Sequence, residues 1–208
     1  MVAKMKIILH GFAACALVLL ISIAVIAPAF AQTQQQLQRC TGSAGTNEEQ
    51  IEGCTAAIGS GNYTGRRLAN LYLDRGISYL RVKDFTSVIH DFDQTIRLNP
   101  NQASAFLGRG HGYRGLGDLP SAIAAYTHAI ELDPNNENAY VDRAATYRQQ
   151  GNYNEAIEDY NRALKLDPND ADALYYRGLT KGANGDTVGG NADVTAAKKL
   201  NPNIGNQR

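Results

Sequence analysis

Bulky and small residues recur along this chain with a period of 34 residues. Counting units from Ala69, Ala103, Glu137 and Ala171, position 4 holds Tyr72, Phe106, Tyr140 and Leu174. Position 8 holds Gly76, Gly110, Ala144 and Gly178, and position 11 holds Tyr79, Tyr113, Tyr147 and Lys181. Spacings of four and three put these three positions on one face of a helix. A second periodic run follows: Ile89, Ile123 and Ile157 at position 21, then Phe92, Tyr126, Tyr160 and Val194 at position 24, then Thr95, Ala129, Ala163 and Ala197 at position 27. Between the two runs lie Lys83-Asp84, Gly117-Asp118, Gly151-Asn152 and Gly185-Asp186, where glycine ends one helix and Asp or Asn caps the next. Pro120 falls in the first turn of its helix, where its missing N–H costs nothing. Each unit is therefore predicted to be a helical hairpin.

The period is marked a second time by LNP, LDP, LDP and LNP, ending at Pro100, Pro134, Pro168 and Pro202. This pattern resembles the tetratricopeptide repeat family, whose repeat length is 34 residues. The resemblance is close over 69–170 and looser to 204, with aromatic residues or leucine for the family's frequent first-helix tryptophan and arginine for its leucine at position 7. It implies an all-α fold, a right-handed superhelix of antiparallel helical hairpins, with repeats over 69–102, 103–136, 137–170 and a degenerate fourth at 171–204 before a short tail, 205–208. It also implies a concave surface lined by the other face of each first helix, which in relatives holds an extended peptide or a partner's helix.

Positions 2, 5, 9, 12 and 13 form that face. They bring Asn70, Leu73, Ile77 and Arg81 from the first repeat, Leu107, His111 and Arg114 from the second, Asn138, Val141 and Arg148 from the third, and Tyr175 from the fourth. An aliphatic floor edged by arginines fits an apolar peptide carrying carboxylates, which guanidinium groups grip in pairs of hydrogen bonds. Some relatives hold a partner's terminal carboxylate with a lysine and asparagine clamp at positions 5 and 9. Here Leu73, Ile77, Leu107, His111, Val141, Ala145, Tyr175 and Leu179 occupy those positions, so that clamp is missing.

A different arginine column, Arg75, Arg109, Arg143 and Arg177, stands at position 7, at the edge of the packing face. Position 23 of the second helix carries Asp91, Asp159 and Asp193, with Ala125 as the exception. A structural arginine–aspartate link is expected, with the partner in either the same or the adjacent repeat.

The ends depart from the ruler. Residues 48–59 match a second helix when shifted by 38, which makes 48–68 a half repeat followed by a loop four residues longer than the others. Lys181 replaces a tyrosine and Gly189-Gly190 weakens the last helix, as expected of a terminal repeat. Residues 1–31 carry Lys4 and Lys6, an apolar run and Ala29-Phe30-Ala31, the layout of a secretory signal peptide cleaved after Ala31; the run is long enough that retention as an anchor is the alternative. Cleavage removes Cys15 and leaves Cys40 and Cys54, an even pair expected to bond in an oxidising compartment, closing a loop of about 15 residues and contributing about 3 kcal/mol. That bridge would tie down the polar segment 32–47.

Composition narrows the function. Lys plus Arg and Asp plus Glu number 20 each, so bulk charge directs the chain to neither nucleic acid nor an anionic membrane. His90, His111 and His128 stand at unrelated repeat positions, the cysteines are not in a C-x-x-C pair, and no H-E-x-x-H or glycine-rich phosphate loop occurs. No catalytic residue, metal or cofactor is expected. The sequence reads as an exported, non-enzymatic scaffold of the periplasm or envelope, or secreted, that binds a protein or peptide in its groove; self-association through the array ends is the competing reading.

Overall fold

The computed structural model describes residues 34–42 and 45–205, and among these no strand occurs. The expected signal peptide, Cys15 and the end of the tail lie outside the described residues. The chain divides into two compact units, one ending at Tyr63 and the other beginning at Thr64.

The first unit pairs a short helix, α1 (34–41), with α2 (Asn47–Gly59). A capping box at Thr46 and Glu49 starts α2, two of its N-terminal donors being satisfied by side chains. The expected disulfide is present: Cys40 and Cys54 are bonded, with their Cα atoms 4.5 Å apart and both residues almost wholly buried. Gln50 Nε2 donates to the Gly42 carbonyl at 2.8 Å, closing the turn between the helices. Gly53 is required here, because a Cβ would lie 2.6 Å from the Cβ of Arg39. The polar segment is thus helical in part, a feature that its composition hid.

The second unit is four consecutive hairpins: α3 (Gly65–Arg81) with α4 (Phe85–Leu98), α5 (Ala103–Gly115) with α6 (Leu119–Leu132), α7 (Glu137–Gln150) with α8 (Tyr153–Leu166), and α9 (Ala171–Ala183) with α10 (Thr187–Leu200). Gly117, Gly151 and Gly185 end the first helices at φ of 81°, 82° and 94°. Asp84, Asp118 and Asp186 cap the second helices by accepting the backbone N–H of Ser87, Ser121 and Gly189. Each LNP or LDP proline lies just past a helix end, and Pro100, Pro134 and Pro168 open the turn to the next hairpin. The structure departs from the sequence reading at Gly65: residues 65–68 form an extra first turn of α3 instead of lengthening the preceding loop. The last helix runs through Gly189-Gly190, and Gly190 serves packing, since a Cβ there would sit 2.6 Å from the Gly178 carbonyl oxygen of α9.

The core is a row of aromatic plugs. Phe92, Tyr126 and Tyr160 at position 24 are buried, each facing small residues of the first helices. Burial of one such ring stabilises the fold by about 2–3 kcal/mol. Phe92 fills space with Val88 and Ala105, and Tyr160 with Ala144, Ala156 and Ala173, so each plug joins its own hairpin to the next. Two buried columns do not belong to the expected face: position 3 (Leu71, Ala105, Ala139, Ala173) and position 10 (Ser78, Gly112, Thr146, Thr180). The hydroxyls at position 10 meet their own helix, as Thr146 and Thr180 donate to the carbonyls four residues back at 2.7 and 2.6 Å.

The position 4 and 11 tyrosines, expected to fill the core, are only half-buried and flank the arginine column instead. Arg143 has the rings of Tyr140 and Tyr147 at 5.9 and 6.0 Å, and Arg75 has Tyr72 and Tyr79 at 5.5 and 5.8 Å. The aspartate link is within the hairpin: Arg143 Nε and Nη2 donate to the two carboxylate oxygens of Asp159 at 2.7 and 2.8 Å, and Arg75 and Arg177 hold Asp91 and Asp193 in the same way. A second contact reaches back one hairpin. Arg109, Arg143 and Arg177 each donate Nη1 to position 25 of the preceding repeat, Asp93, Thr127 and Asn161, at 3.1, 2.9 and 2.8 Å. Burial alone would lower the Arg143 pKa, but the hydrogen bond and charge of Asp159 outweigh it and hold the guanidinium more firmly protonated than usual. Lys181 is not a lost tyrosine alone: its Nζ lies 2.9 Å from Asp193 and adds a second cation to that carboxylate.

Candidate peptide-binding groove

The residues expected to line the groove divide by burial. Asn70, Ile77, Arg81 and Asn138 are exposed, while Leu73, Leu107, His111, Arg114, Val141, Arg148 and Tyr175 are half-buried. Leu73 packs against the Val88–Phe92–Ala105 cluster and Val141 against the Tyr160 cluster, so the floor of the face is also the lid of the core. Tyr175 lies against the C-terminal turn, where a Cβ on Gly205 would meet its hydroxyl at 2.5 Å. The open part of the face runs over Asn70, Ile77, Arg81 and Asn138, with Leu179 of the fourth hairpin also exposed.

On it lies a recess of about 410 Å³ between the first two hairpins, lined by Leu80, Arg81, Phe85, His111, Arg114 and Gly115. Apolar walls come from Leu80 at the end of α3 and Phe85 at the start of α4. Gly115 keeps the opening clear; its Cβ would run into the Phe85 ring. Polar groups come from α5, where His111 and Arg114 stand one helical turn apart.

Those side chains already have a partner. His111 Nε2 lies 2.6 Å from one oxygen of Asp142, and Arg114 Nη1 donates to the other at 3.2 Å. Asp142 is at position 6 of the next first helix, a residue that the sequence reading did not single out. Arg148 repeats the reach one hairpin later, its guanidinium 5.3 Å from the centre of the Tyr176 ring, again at position 6. Arg114 and Arg148 thus tie neighbouring first helices together, and a ligand carboxylate at Arg114 would share it with Asp142. The missed signal was a column: positions 12 and 6 are complementary from one repeat to the next, which reading each repeat by itself conceals.

Titration adds two points. Burial pushes the Tyr126 hydroxyl well above its usual pKa, with the Asp142 charge in support, and that hydroxyl is buried without a hydrogen-bond partner. Glu137, at the first turn of α7, is raised to about 7 by burial and then by Asp170, with Asp167 and Asp142 adding repulsion. Among the described residues no group of three or more His, Cys, Asp or Glu side chains could hold a metal ion, and no helix is long and apolar enough to cross a membrane.

Family models described as "TPR repeat" and "Tetratricopeptide repeat" match residues 144–185, 125–158 and 103–136, which together span the second and third hairpins and the first helix of the fourth. The chain is a tetratricopeptide repeat protein. Its repeats superpose on solved tetratricopeptide structures at low identity. "Crystal structure of MamA protein" is similar with a TM-score of 0.72 and 17% identity, covering 85% of this chain and 96% of that one. MamA from Desulfovibrio magneticus RS-1 gives a TM-score of 0.70 at 18% identity over 83% and 93%. YrrB, titled "a TPR protein with an unusual peptide-binding site", gives 0.63 at 19% identity over 76% and 79%. The first repeat domain of Spaghetti, bound to an HSP90 peptide, gives 0.57 at 21% identity over 60% of this chain and 98% of that one. No curated protein matches the sequence. At these identities the repeats share the fold.

Proposed function

We propose that the chain is a non-enzymatic, exported scaffold that holds a protein or peptide on the first-helix face of its repeats, in the periplasm or cell envelope. The observation that carries the reading is the open recess with exposed Ile77 and Arg81 beside it, an apolar trough with cations at its rim. Support comes from two proteins of the same fold: YrrB has an unusual peptide-binding site, and the first repeat domain of Spaghetti is bound to an HSP90 peptide. Export rests on the leader-like order of residues 1–31 and is supported by the Cys40–Cys54 bond.

Binding is tested by passing a degenerate, fluorescently labelled decapeptide library over immobilised chain. Wild type should retain a reproducible subset, and the exposed substitution Ile77→Asp should lose it by tenfold or more with an unchanged melting temperature. Equal retention by both proteins removes this face from the site. A second reading, self-association through the array end, is favoured by the exposed Leu179, Val188 and Leu200 of the last hairpin. Light scattering across a hundredfold concentration range separates the two: a monomer at all concentrations sets self-association aside.

A further inference from the structure

Three of the four position 7 arginines close on an aspartate of their own hairpin through one edge of the guanidinium, Nε and Nη2. In the second repeat that aspartate is Ala125, on α6. Arg109 nevertheless keeps the pose of its counterparts, with Nη1 donated to Asp93 of the preceding repeat and the Phe106 ring 5.1 Å from the guanidinium. Its Nε is buried and has no hydrogen-bond partner. The Arg109 side chain is also the most open of the four, 22% exposed against 12%, 16% and 17% for Arg75, Arg143 and Arg177.

A buried guanidinium N–H without an acceptor is costly, and a carboxylate is the acceptor that fits its fork. The same chain shows three times what completes this arrangement. We infer that Arg109, opposite the position where Ala125 lacks a carboxylate, is a receptor for a carboxylate supplied from outside the repeat, which takes the role that Asp91, Asp159 and Asp193 play in the other hairpins. The site belongs to the arginine column and is independent of the groove. Its ligand is either a free small carboxylate or the acidic side chain of a bound chain; both present the same planar pair of oxygens.

The full chain is melted in sodium formate and in sodium chloride at equal ionic strength, and [15N]arginine spectra are recorded in parallel. Formate should raise the wild-type melting temperature, by about 3–6 °C at ten times its dissociation constant. It should shift the Arg109 Nε–H resonance, assigned by its loss in Arg109→Lys, and leave those of Arg75, Arg143 and Arg177 in place. Ala125→Asp should melt higher than wild type in chloride and lose the formate response. N-acetyl-aspartate N-methylamide provides the second arm. A response to it at lower concentration than formate assigns the site to an acidic side chain; a response to formate alone assigns it to a free carboxylate. An equal formate effect on wild type and Ala125→Asp, or an Arg109 resonance that none of the carboxylates moves, overturns the inference.

Discussion

At the scale of single residues, the arginine column decides what each side chain is for. Arg143 joins three helices, its own, α8 through Asp159 and α6 through Thr127, and it is mostly buried between two tyrosines. Removing it strands a buried carboxylate, so Arg143→Leu should lower stability by about 3 kcal/mol in urea denaturation. Peptide retention below the transition should stay unchanged; loss of binding with full stability would give Arg143 to the ligand. Lys83 is the non-glycine residue at positive φ, 61°, in the place that Gly117, Gly151 and Gly185 take in the other hairpins. Lys83→Gly should therefore stabilise by about 1 kcal/mol, read as a higher urea midpoint. The residue identities in this column were legible in the sequence, and so was the aspartate at position 23. The second acceptors were not, because Asp93, Thr127 and Asn161 share only the ability to accept a hydrogen bond.

At the scale of elements, the hairpin and its caps could be read from period and turn chemistry, whereas the extra turn of α3 could not. Residues 65–68 have no counterpart in the other repeats, so no column exposed their helical register. The buried columns at positions 3 and 10 were hidden for a different reason: alanine, serine and threonine carry little hydrophobic signal, yet they sit where helices meet most closely. The contact between successive first helices has its own pH dependence. Glu137 has a folded pKa of about 7, above the ordinary 4.5, because burial and Asp170 favour its protonated form. A raised carboxyl contributes stability that is complete below about pH 4.5 and lost as pH rises through about 7. Glu137→Gln should leave stability in urea denaturation unchanged near pH 4 and raise it above pH 7, by roughly 1 kcal/mol after solvent screening. A parallel pH profile for both proteins would contradict that assignment. Asp193 behaves in the opposite sense. Burial pushes it up, but Arg177 and Lys181 together hold it below the ordinary 3.8, so its contribution is present above that value and fades as pH falls below it.

At the scale of the whole molecule, four hairpins place one face of every first helix along a common surface, and function depends on whether that surface meets a ligand. That face was assigned from the helical angle together with the family resemblance. Which of its residues stand open could not be assigned in that way, because Arg114 and Arg148 look solvated when a repeat is read by itself and are engaged by Asp142 and Tyr176 only when the next repeat is in place. The proposed contact with a ligand therefore rests on exposed Ile77 and the recess between the first two hairpins. Export makes a separate prediction: expressed with its leader in a bacterial host, the chain should be recovered beginning at Gln32, and intact Met1 in the mature protein would mean a retained anchor. The groove itself is tested most directly by photocrosslinking. Benzoylphenylalanine in place of Ile77 on α3, or in place of exposed Arg162 on α8, is irradiated with the retained peptides. Labelling from position 77 with little from position 162 is the predicted result; equal labelling from both, or labelling from position 162 alone, would contradict it.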